Sequence, residues 1–240
     1  MTSVQACLNG SRRPVDHPAL PVSAAALAAD AAGCQGAGAA SVHVHPHSPG
    51  GWPSLAAPDV LATVAAIRSR CPSLPVGVTT LAAVEPDPAK RTRLVARWGG
   101  AGRPDFASVN FDEPGAFEVA RTLIDLDVGV EAGVRDPHDA RRLLESGLAD
   151  ACVRVLLEPL EPGTAAALAT AAQARRVLLD GGCGTPFLLH GNEGTAWPVL
   201  TEALRLGLDT RVGLEDTLLS PDGGPTPGNV ALVSAATDLL

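Results

Sequence analysis

Short β-rich runs alternate with longer helical patterns along the whole chain, and this alternation constrains the fold more than any other feature of the sequence. Repeated strand-helix units favour a parallel sheet, because parallel strands need a long crossover connection that is usually a helix. The near-continuous Val and Leu content of the runs is typical of strands that are buried on both faces. The predicted strands are Val4 to Asn9, Ser41 to Pro46, Pro75 to Thr80, Phe106 to Phe111, Val128 to Val134, Cys152 to Glu158, Pro186 to His190 and Thr210 to Leu214.

Residues at the expected helix ends support this count. Asp87 and Asp136 each stand directly before a proline, which places a capping acceptor next to a favoured first helical residue. Gly147 and Gly207 each follow an apolar-periodic segment, where a left-handed residue would end a helix. The Ala- and Leu-rich segment Thr164 to Asp180 is long enough for one helix.

Eight strand-helix units in 240 residues predict an α/β fold that closes as a (β/α)8 barrel, for which roughly 250 residues is typical. We expect residues 1–240 to form a single domain of this kind. The Gly/Pro-rich stretch from Ser220 to Gly228 is expected to be a loop before a last helix that begins at Asn229. A doubly wound open sheet is the alternative, although no G-x-G-x-x-G motif follows the first strand.

Composition argues against a disordered chain and against a nucleic-acid partner. Hydrophobic residues make up 46% of the chain and charged residues 18%, which suits a large buried core and argues against disorder. The 26 acidic and 18 basic residues give a net charge of −8, so a nucleic acid would meet a repulsive average field. We therefore expect no nucleic-acid partner.

The sequence also bears on the compartment. It begins without a basic segment followed by an apolar run, and it has no stretch of about 18 apolar residues that would cross a bilayer. Five cysteines without a C-x-x-C pair argue against a disulfide framework and against a thiolate zinc site. We expect a cytoplasmic protein that makes no membrane contact and whose cysteines are small buried side chains: Cys7, Cys34, Cys71, Cys152 and Cys183.

A candidate metal site lies where barrel enzymes build their active sites, at the C-terminal ends of the strands. His43 and His45 end the second strand, and strand alternation turns both side chains to the same side. Two imidazoles and one oxygen ligand suit a catalytic zinc with an open position. Glu215 follows the eighth strand, two strands away around a closed barrel, so its carboxylate can reach across the mouth. Two alternatives are a hydrogen-bonded histidine pair that lines a pocket and, for Glu215-Asp216, a helix cap or loop pair.

Further polar residues gather at the same edge, and their concentration is stronger evidence than any one motif. Glu131 stands among valines in strand five, where an unpaired buried charge would be costly. It belongs either to a functional site or to an ion pair with Arg154 on the next strand. His190 is interpreted as structural. The other residues of this set are Thr79, Thr80, Ser108 and Asn110.

Six segments resemble the β-keto acid cleavage enzyme family in order and spacing: ACLNG, HVHPHSPGG, DFASVNFDE, GVEAGV, LLHGNEGTAWP and RVGLEDT. The resemblance extends from Ala6 to beyond Asn229. It implies a zinc-dependent (β/α)8 barrel, usually a homotetramer, that condenses a β-keto acid with acetyl-CoA to give a CoA ester and acetoacetate.

The resemblance also implies roles for individual residues. The family's metal ligands fall on His43, His45 and Glu215, its catalytic base on Asp216, and the arginine that positions the base on Arg211. Its substrate-binding positions fall on Thr79, Ser108, Asn110 and Glu131.

Departures from the family pattern bear on the substrate. Members commonly have an arginine where this chain has His47, and members that act on amino-bearing substrates place an acidic residue where this chain has Arg12. We therefore expect a substrate with a neutral or anionic tail. Arg12 either pairs with a carboxylate or is a solvated loop residue.

Other readings stay open at this point. A class II aldolase-like or hydrolytic metal enzyme would share the ligands but would not need CoA, and a non-catalytic barrel would bind metal and ligand only. Manganese, cobalt or nickel would accept the same donors as zinc. We expect a homo-oligomer, either a dimer or a tetramer.

Overall fold

Eight strands alternate with eight helices in the computed structural model, which describes residues 2–240. The strands are β1 (Val4–Cys7), β2 (Ser41–Val44), β3 (Val76–Thr79), β4 (Phe106–Asn110), β5 (Gly129–Val134), β6 (Arg154–Leu157), β7 (Phe187–Leu189) and β8 (Thr210–Val212). The helices are α1 (Ala24–Gly36), α2 (Ala57–Arg70), α3 (Pro88–Val95), α4 (Ala116–Asp125), α5 (Pro137–Ser146), α6 (Thr164–Asp180), α7 (Ala196–Arg205) and α8 (Asn229–Thr237). Two 3-10 turns add Ala149–Ala151 and Glu193–Thr195.

All eight strands run parallel, in the order β7-β6-β5-β4-β3-β2-β1-β8. The two outer strands meet through a parallel bridge between Leu188 and Asp209. The backbone amide of Leu189 donates to the Asp209 carbonyl at 2.9 Å, and the Thr210 hydroxyl donates to the Leu189 carbonyl at 2.9 Å. These bonds close the sheet, so the predicted (β/α)8 barrel is confirmed in place of an open sheet.

The predicted helix ends are confirmed. The Asp87 side chain accepts from the Lys90 amide at 3.0 Å, and the Asp136 side chain caps α5 in the same manner. Gly147 and Gly207 adopt the left-handed conformation with φ of 68° and 67°. The predicted strands extend one or two residues too far at most ends. At the end of β2, the His45 amide bonds the Asn9 side chain instead of the ladder.

Alternation along the strands separates two layers. One set of side chains packs against the helices, as Val42 and Val44 do, and these are fully buried. The other set points into the barrel, where the Glu131 carboxylate accepts from Gln5 Nε2 at 3.0 Å and from Arg154 Nε at 2.5 Å. This network fills the lumen at the level of mid-strand, and the strand ends above it carry the polar residues singled out in the sequence.

The five cysteines are buried and free, as predicted. No helix within residues 2–240 is both long enough and apolar enough to cross a membrane.

Gly213 is the position where the fold tolerates a side chain least well. A Cβ added there would lie 1.9 Å from the backbone oxygen of Cys7 on the neighbouring strand. We expect Gly213→Ala to lower the free energy of unfolding by about 1–3 kcal/mol, as overpacking of a filled interior does, measured by urea denaturation.

Gly36→Ala is the matched control, because a Cβ at this residue of α1 meets no atom within 4 Å. It is expected to leave the protein unchanged or to stabilise it by up to about 1 kcal/mol. Equal stability of the two variants would contradict the close approach of β1 and β8.

Candidate metal centre and active site

His43, His45 and Glu215 come together at the C-terminal mouth of the barrel. Their ligand atoms all lie within 4.8 Å of one another. His43 Nε2 is 3.9 Å from Glu215 Oε2, and His45 Nε2 is 3.7 Å from Glu215 Oε1. The order β2-β1-β8 explains this convergence, because only β1 separates the histidine strand from the strand that Glu215 follows.

The donor set fits a divalent transition metal. Both histidines are buried, and Glu215 Oε2 has no hydrogen-bond partner although it is buried. An unpartnered buried carboxylate oxygen that faces two imidazoles is costly unless a cation shares it. Two imidazole nitrogens and one carboxylate oxygen are the ligands of a catalytic zinc with an open position.

Burial also sets the protonation of this group. It lowers the pKa of His43 to about 3, against the opposing effect of the Glu215 carboxylate. Burial acts to raise the pKa of Glu215, but the Arg211 guanidinium and the two histidines lower it well below its usual range. The site therefore holds a neutral imidazole and an ionised carboxylate, which are the forms that bind a metal.

Asn9 fixes the end of β2, and sequence reasoning missed it. Its side-chain oxygen accepts from the His45 amide at 2.9 Å, and its Nδ2 donates to the His45 carbonyl at 2.8 Å. The same carbonyl lies 2.9 Å from Nδ1 of His47. These bonds determine the backbone of the second histidine where the strand ladder has ended.

Arg211 binds the two acidic residues that follow β8. Its Nη2 donates to Asp216 Oδ1 at 2.7 Å and to Glu215 Oε1 at 3.1 Å. All three side chains are largely buried. His190 lies on the other side of Asp216, with Nδ1 3.6 Å from Oδ1, and neither ring nitrogen has a hydrogen-bond partner.

The surroundings of the Asp216 carboxyl change its pKa. Burial raises its pKa to about 7, with a smaller contribution from Glu215 and an opposing one from Arg211. A carboxyl that titrates near neutral pH suits a general base. Its second oxygen, Oδ2, is buried and has no partner.

A cavity of about 220 Å³ opens beside the metal cluster. Thr79, Ser108 and Asn110, the three hydroxyl and amide residues predicted from the family pattern, line it. The complete lining is Ser11, His43, His45, Thr79, Leu81, Ser108, Asn110, Arg135, Leu156, Glu158, Asn192, Arg211 and Glu215.

Glu113 orients this lining from behind, and sequence reasoning missed it as well. The Glu113 carboxylate accepts from Asn110 Nδ2 at 3.3 Å and from the Ala82 amide at 2.9 Å. Arg91, which is fully buried, lies 3.7 Å from the same carboxylate. The buried ion pair therefore connects the loop after β3 to the end of β4.

Two of the predicted substrate-binding residues do not line the cavity. Glu131 lies below it in the ion pair with Arg154, the structural alternative that the sequence left open. The Arg12 guanidinium donates to the Leu214 carbonyl and, at 2.6 Å, to Glu193 Oε1. We therefore do not place these two residues in the proposed substrate site.

Arg135 and Glu158 do line the cavity, although the sequence analysis assigned neither of them. Each directly follows a strand, β5 or β6, so the rule that selected His45 and Asn110 applies to them as well. The sequence analysis did not single them out, although Glu158 ends the predicted sixth strand and Arg135 directly follows the predicted fifth.

Comparison with known proteins identifies the family. The sequence model of the family described as beta-keto acid cleavage enzyme matches residues 2–240. A search of the curated proteins gave no match to this chain.

Solved structures share the fold at low sequence identity. ObcA in a ternary complex with a C4-CoA adduct and oxalate has 19% identity and a TM-score of 0.73, with 92% of this chain and 63% of that chain covered. ObcA in a binary complex with oxaloacetate has 17% identity and a TM-score of 0.72, with the same coverage. The chain thus covers less than two thirds of the length of ObcA. The 3-dehydroquinate dehydratase of Geobacillus kaustophilus HTA426 has 14% identity and a TM-score of 0.66, with 99% of this chain and 91% of that chain covered.

The metal cluster makes a direct prediction. His43→Ala is expected to lose most of the divalent metal that the purified protein binds, because a three-ligand site cannot spare an imidazole. Metal content after dialysis, measured by inductively coupled plasma mass spectrometry, checks this. His138→Ala removes an exposed histidine outside the cluster and is expected to keep the metal. Equal metal content in the two variants would remove His43 from the ligand set.

Proposed function

The chain belongs to the beta-keto acid cleavage enzyme family, and from this premise we propose that it condenses a small β-keto acid with acetyl-CoA to give a CoA ester and acetoacetate. One observation carries the proposal: the three candidate metal ligands form one wall of a small cavity, and the Arg211-Asp216 pair adjoins that wall. The complexes of ObcA with oxaloacetate, itself a β-keto acid, and with a C4-CoA adduct are in line with these two partners.

His43, His45 and Glu215 are the residues that would hold the metal, with zinc as the ion that best suits them. When bound, a divalent metal supplies Lewis acidity that polarises the ketone of the substrate. The substrate carboxylate and ketone are proposed to lie at this wall. Thr79, Ser108 and Asn110 provide hydrogen-bonding groups around the same cavity.

Asp216 is the proposed base. Its carboxyl would accept the proton from C2, the carbon between the ketone and the carboxylate. Arg211 holds the Asp216 carboxylate in place at 2.7 Å through Oδ1, which leaves Oδ2 as the accepting atom. A pKa raised to about 7 makes this carboxyl a stronger base than an ordinary aspartate.

The C2 carbanion attacks the thioester carbonyl of acetyl-CoA, and the acetyl group is transferred to C2 as the CoA thiolate leaves. The thiolate then attacks the original ketone carbon, and the bond between that carbon and C2 breaks. C2 regains a proton from Asp216, so the products are the CoA ester of the tail and acetoacetate. A hydrogen-bond donor directed at a developing oxyanion, such as the Ser108 hydroxyl, would lower the activation free energy by about 3 kcal/mol.

The first experiment tests the reaction class. The purified, metal-analysed protein is incubated with acetyl-CoA and a panel of β-keto acids, and products are followed by mass spectrometry. We expect a new CoA ester and acetoacetate in equal amounts, and neither of them when acetyl-CoA is omitted. Cleavage that proceeds equally well without acetyl-CoA would contradict the proposal and favour an aldolase-like or hydrolytic enzyme.

The second experiment tests the base. Asp216→Asn is expected to lower kcat by about 10²- to 10⁴-fold, the usual contribution of a general base, while the metal content stays at the wild-type level. Asp238→Asn changes an exposed aspartate and should leave kcat unchanged. Near-normal turnover in Asp216→Asn would show that another group takes the proton.

A further inference from the structure

The residues that point into the barrel along β5 and β6 form two parallel rows. Each row has a charged residue at both ends, and the order of the acidic and the basic residue is reversed between the two rows. Backbone pairing sets the residues of the two rows level with each other, and the amide of Glu158 donates to the Val134 carbonyl at 3.0 Å, which continues the ladder by one step. Adjacent strands lie about 4.8 Å apart. The rows are Glu131, Gly133 and Arg135 on the β5 side and Arg154, Leu156 and Glu158 on the β6 side.

The lower two opposite charges form an ion pair. The upper two, which form no ion pair with each other within residues 2–240, are an open pair. Glu131 Oε1 lies 2.5 Å from Arg154 Nε. Within residues 2–240, no ion pair or hydrogen bond joins Arg135 to Glu158, although they occupy equivalent positions. Arg135 instead reaches outwards, with Nη1 2.5 Å from Asp112 Oδ2. Both upper residues line the cavity.

This open pair lies on the same cavity as the candidate metal ligands, away from the histidines. The histidines stand on β2, and β5 and β6 are three and four strands away from it around the eight-stranded barrel, whereas only β7 separates β6 from β8, which Glu215 follows. A β-keto acid bound by its carboxylate and ketone at the metal wall would therefore direct its tail towards Arg135 and Glu158. The cavity of about 220 Å³ has room for a short tail, and Leu81 and Leu156 provide apolar contact beside it.

Resting on the proposed function, we infer that Arg135 and Glu158 together recognise the substrate tail, and that the preferred tail is uncharged and carries a hydroxyl group. A hydroxyl can accept from the guanidinium and donate to the carboxylate at the same time. This inference narrows the class of substrate, because the sequence suggested a neutral or an anionic tail and the pair favours a neutral tail with a hydroxyl group.

Other tails satisfy the pair less well. A carboxylate tail would be attracted by the Arg135 guanidinium but would meet the Glu158 carboxylate. An ammonium tail meets the Arg135 guanidinium. An alkyl tail removes water from two polar groups and returns no hydrogen bond, which is the situation in which binding sites discriminate strongly.

The experiment compares four β-keto acids of equal chain length whose tails end in methyl, hydroxyl, amine or carboxylate. The metal-loaded wild-type protein with acetyl-CoA is expected to show a kcat/KM for the hydroxyl tail about tenfold or more above that for each of the other three. Equal values for the hydroxyl and methyl tails, or a preference for a charged tail, would overturn the inference.

Two variants assign the effect to the pair. Glu158→Gln should reduce the ratio of kcat/KM for hydroxyl over carboxylate tails, because it removes the repulsion of the anion. Arg135→Gln should reduce the ratio for hydroxyl over ammonium tails. Ratios between substrates are unaffected by a general loss of activity. Glu145→Gln and Arg141→Gln make the same changes at exposed positions of α5 and should leave both ratios at the wild-type value. Unchanged ratios in the first two variants would mean that these residues are solvated charges only.

Binding separates this inference from the proposed function. Titration calorimetry of the four acids without acetyl-CoA ranks their affinities whether or not turnover occurs. A hydroxyl preference in binding without any CoA ester would support the tail site and contradict the proposed reaction. CoA esters formed with no hydroxyl preference would support the reaction and overturn the tail site.

Discussion

The buried guanidinium of Arg211 is the interaction on which the candidate site depends. It contacts the carboxylates of two consecutive residues, Glu215 and Asp216. It thereby holds Glu215 beside the histidines and Asp216 next to Glu215. Without this cation, two buried anions at adjacent positions would repel each other, and at least one would take up a proton. With it, Glu215 stays ionised, which is the form that can bind a metal, while the pKa of Asp216 is raised by burial to about 7. The two carboxylates thus acquire different chemistry from their surroundings alone.

Residues behind the cavity hold its lining in place. Asn9 brackets the backbone of His45 with two hydrogen bonds, and Glu113 connects Asn110 to the loop after β3. Arg91 lies beside Glu113 and is fully buried, so this support is an ion pair shielded from water. Side chains that are fixed by such contacts lose little further freedom when a substrate binds, which is the physical basis of a preorganised site.

The lower and upper levels of the barrel interior differ in how their charged groups are bonded. In the lower level, Glu131 Oε1 is bonded by Gln5 and Arg154 in an internal ion pair, and only its Oε2 has no partner. In the upper level, polar groups stand without protein partners, as Glu215 Oε2 and Asp216 Oδ2 do. Buried polar groups normally find partners, so a cluster of exceptions at the strand ends marks the place where a metal and a substrate are expected to complete the bonding.

The sequence by itself determined where the strands and helices lie and that the two histidines share one side of β2. Strand alternation alone places His43 and His45 on the same side, and capping residues and glycines alone mark the helix ends, because these features depend on neighbours within a few residues. The tertiary structure decided which distant residues meet. Glu131 pairs with Arg154 rather than lining the cavity, Arg12 bonds the Leu214 carbonyl, and Arg135 pairs with Asp112 while it and Glu158 both line the cavity. Such choices depend on barrel closure and on the register between strands, and local periodicity carries no information about either.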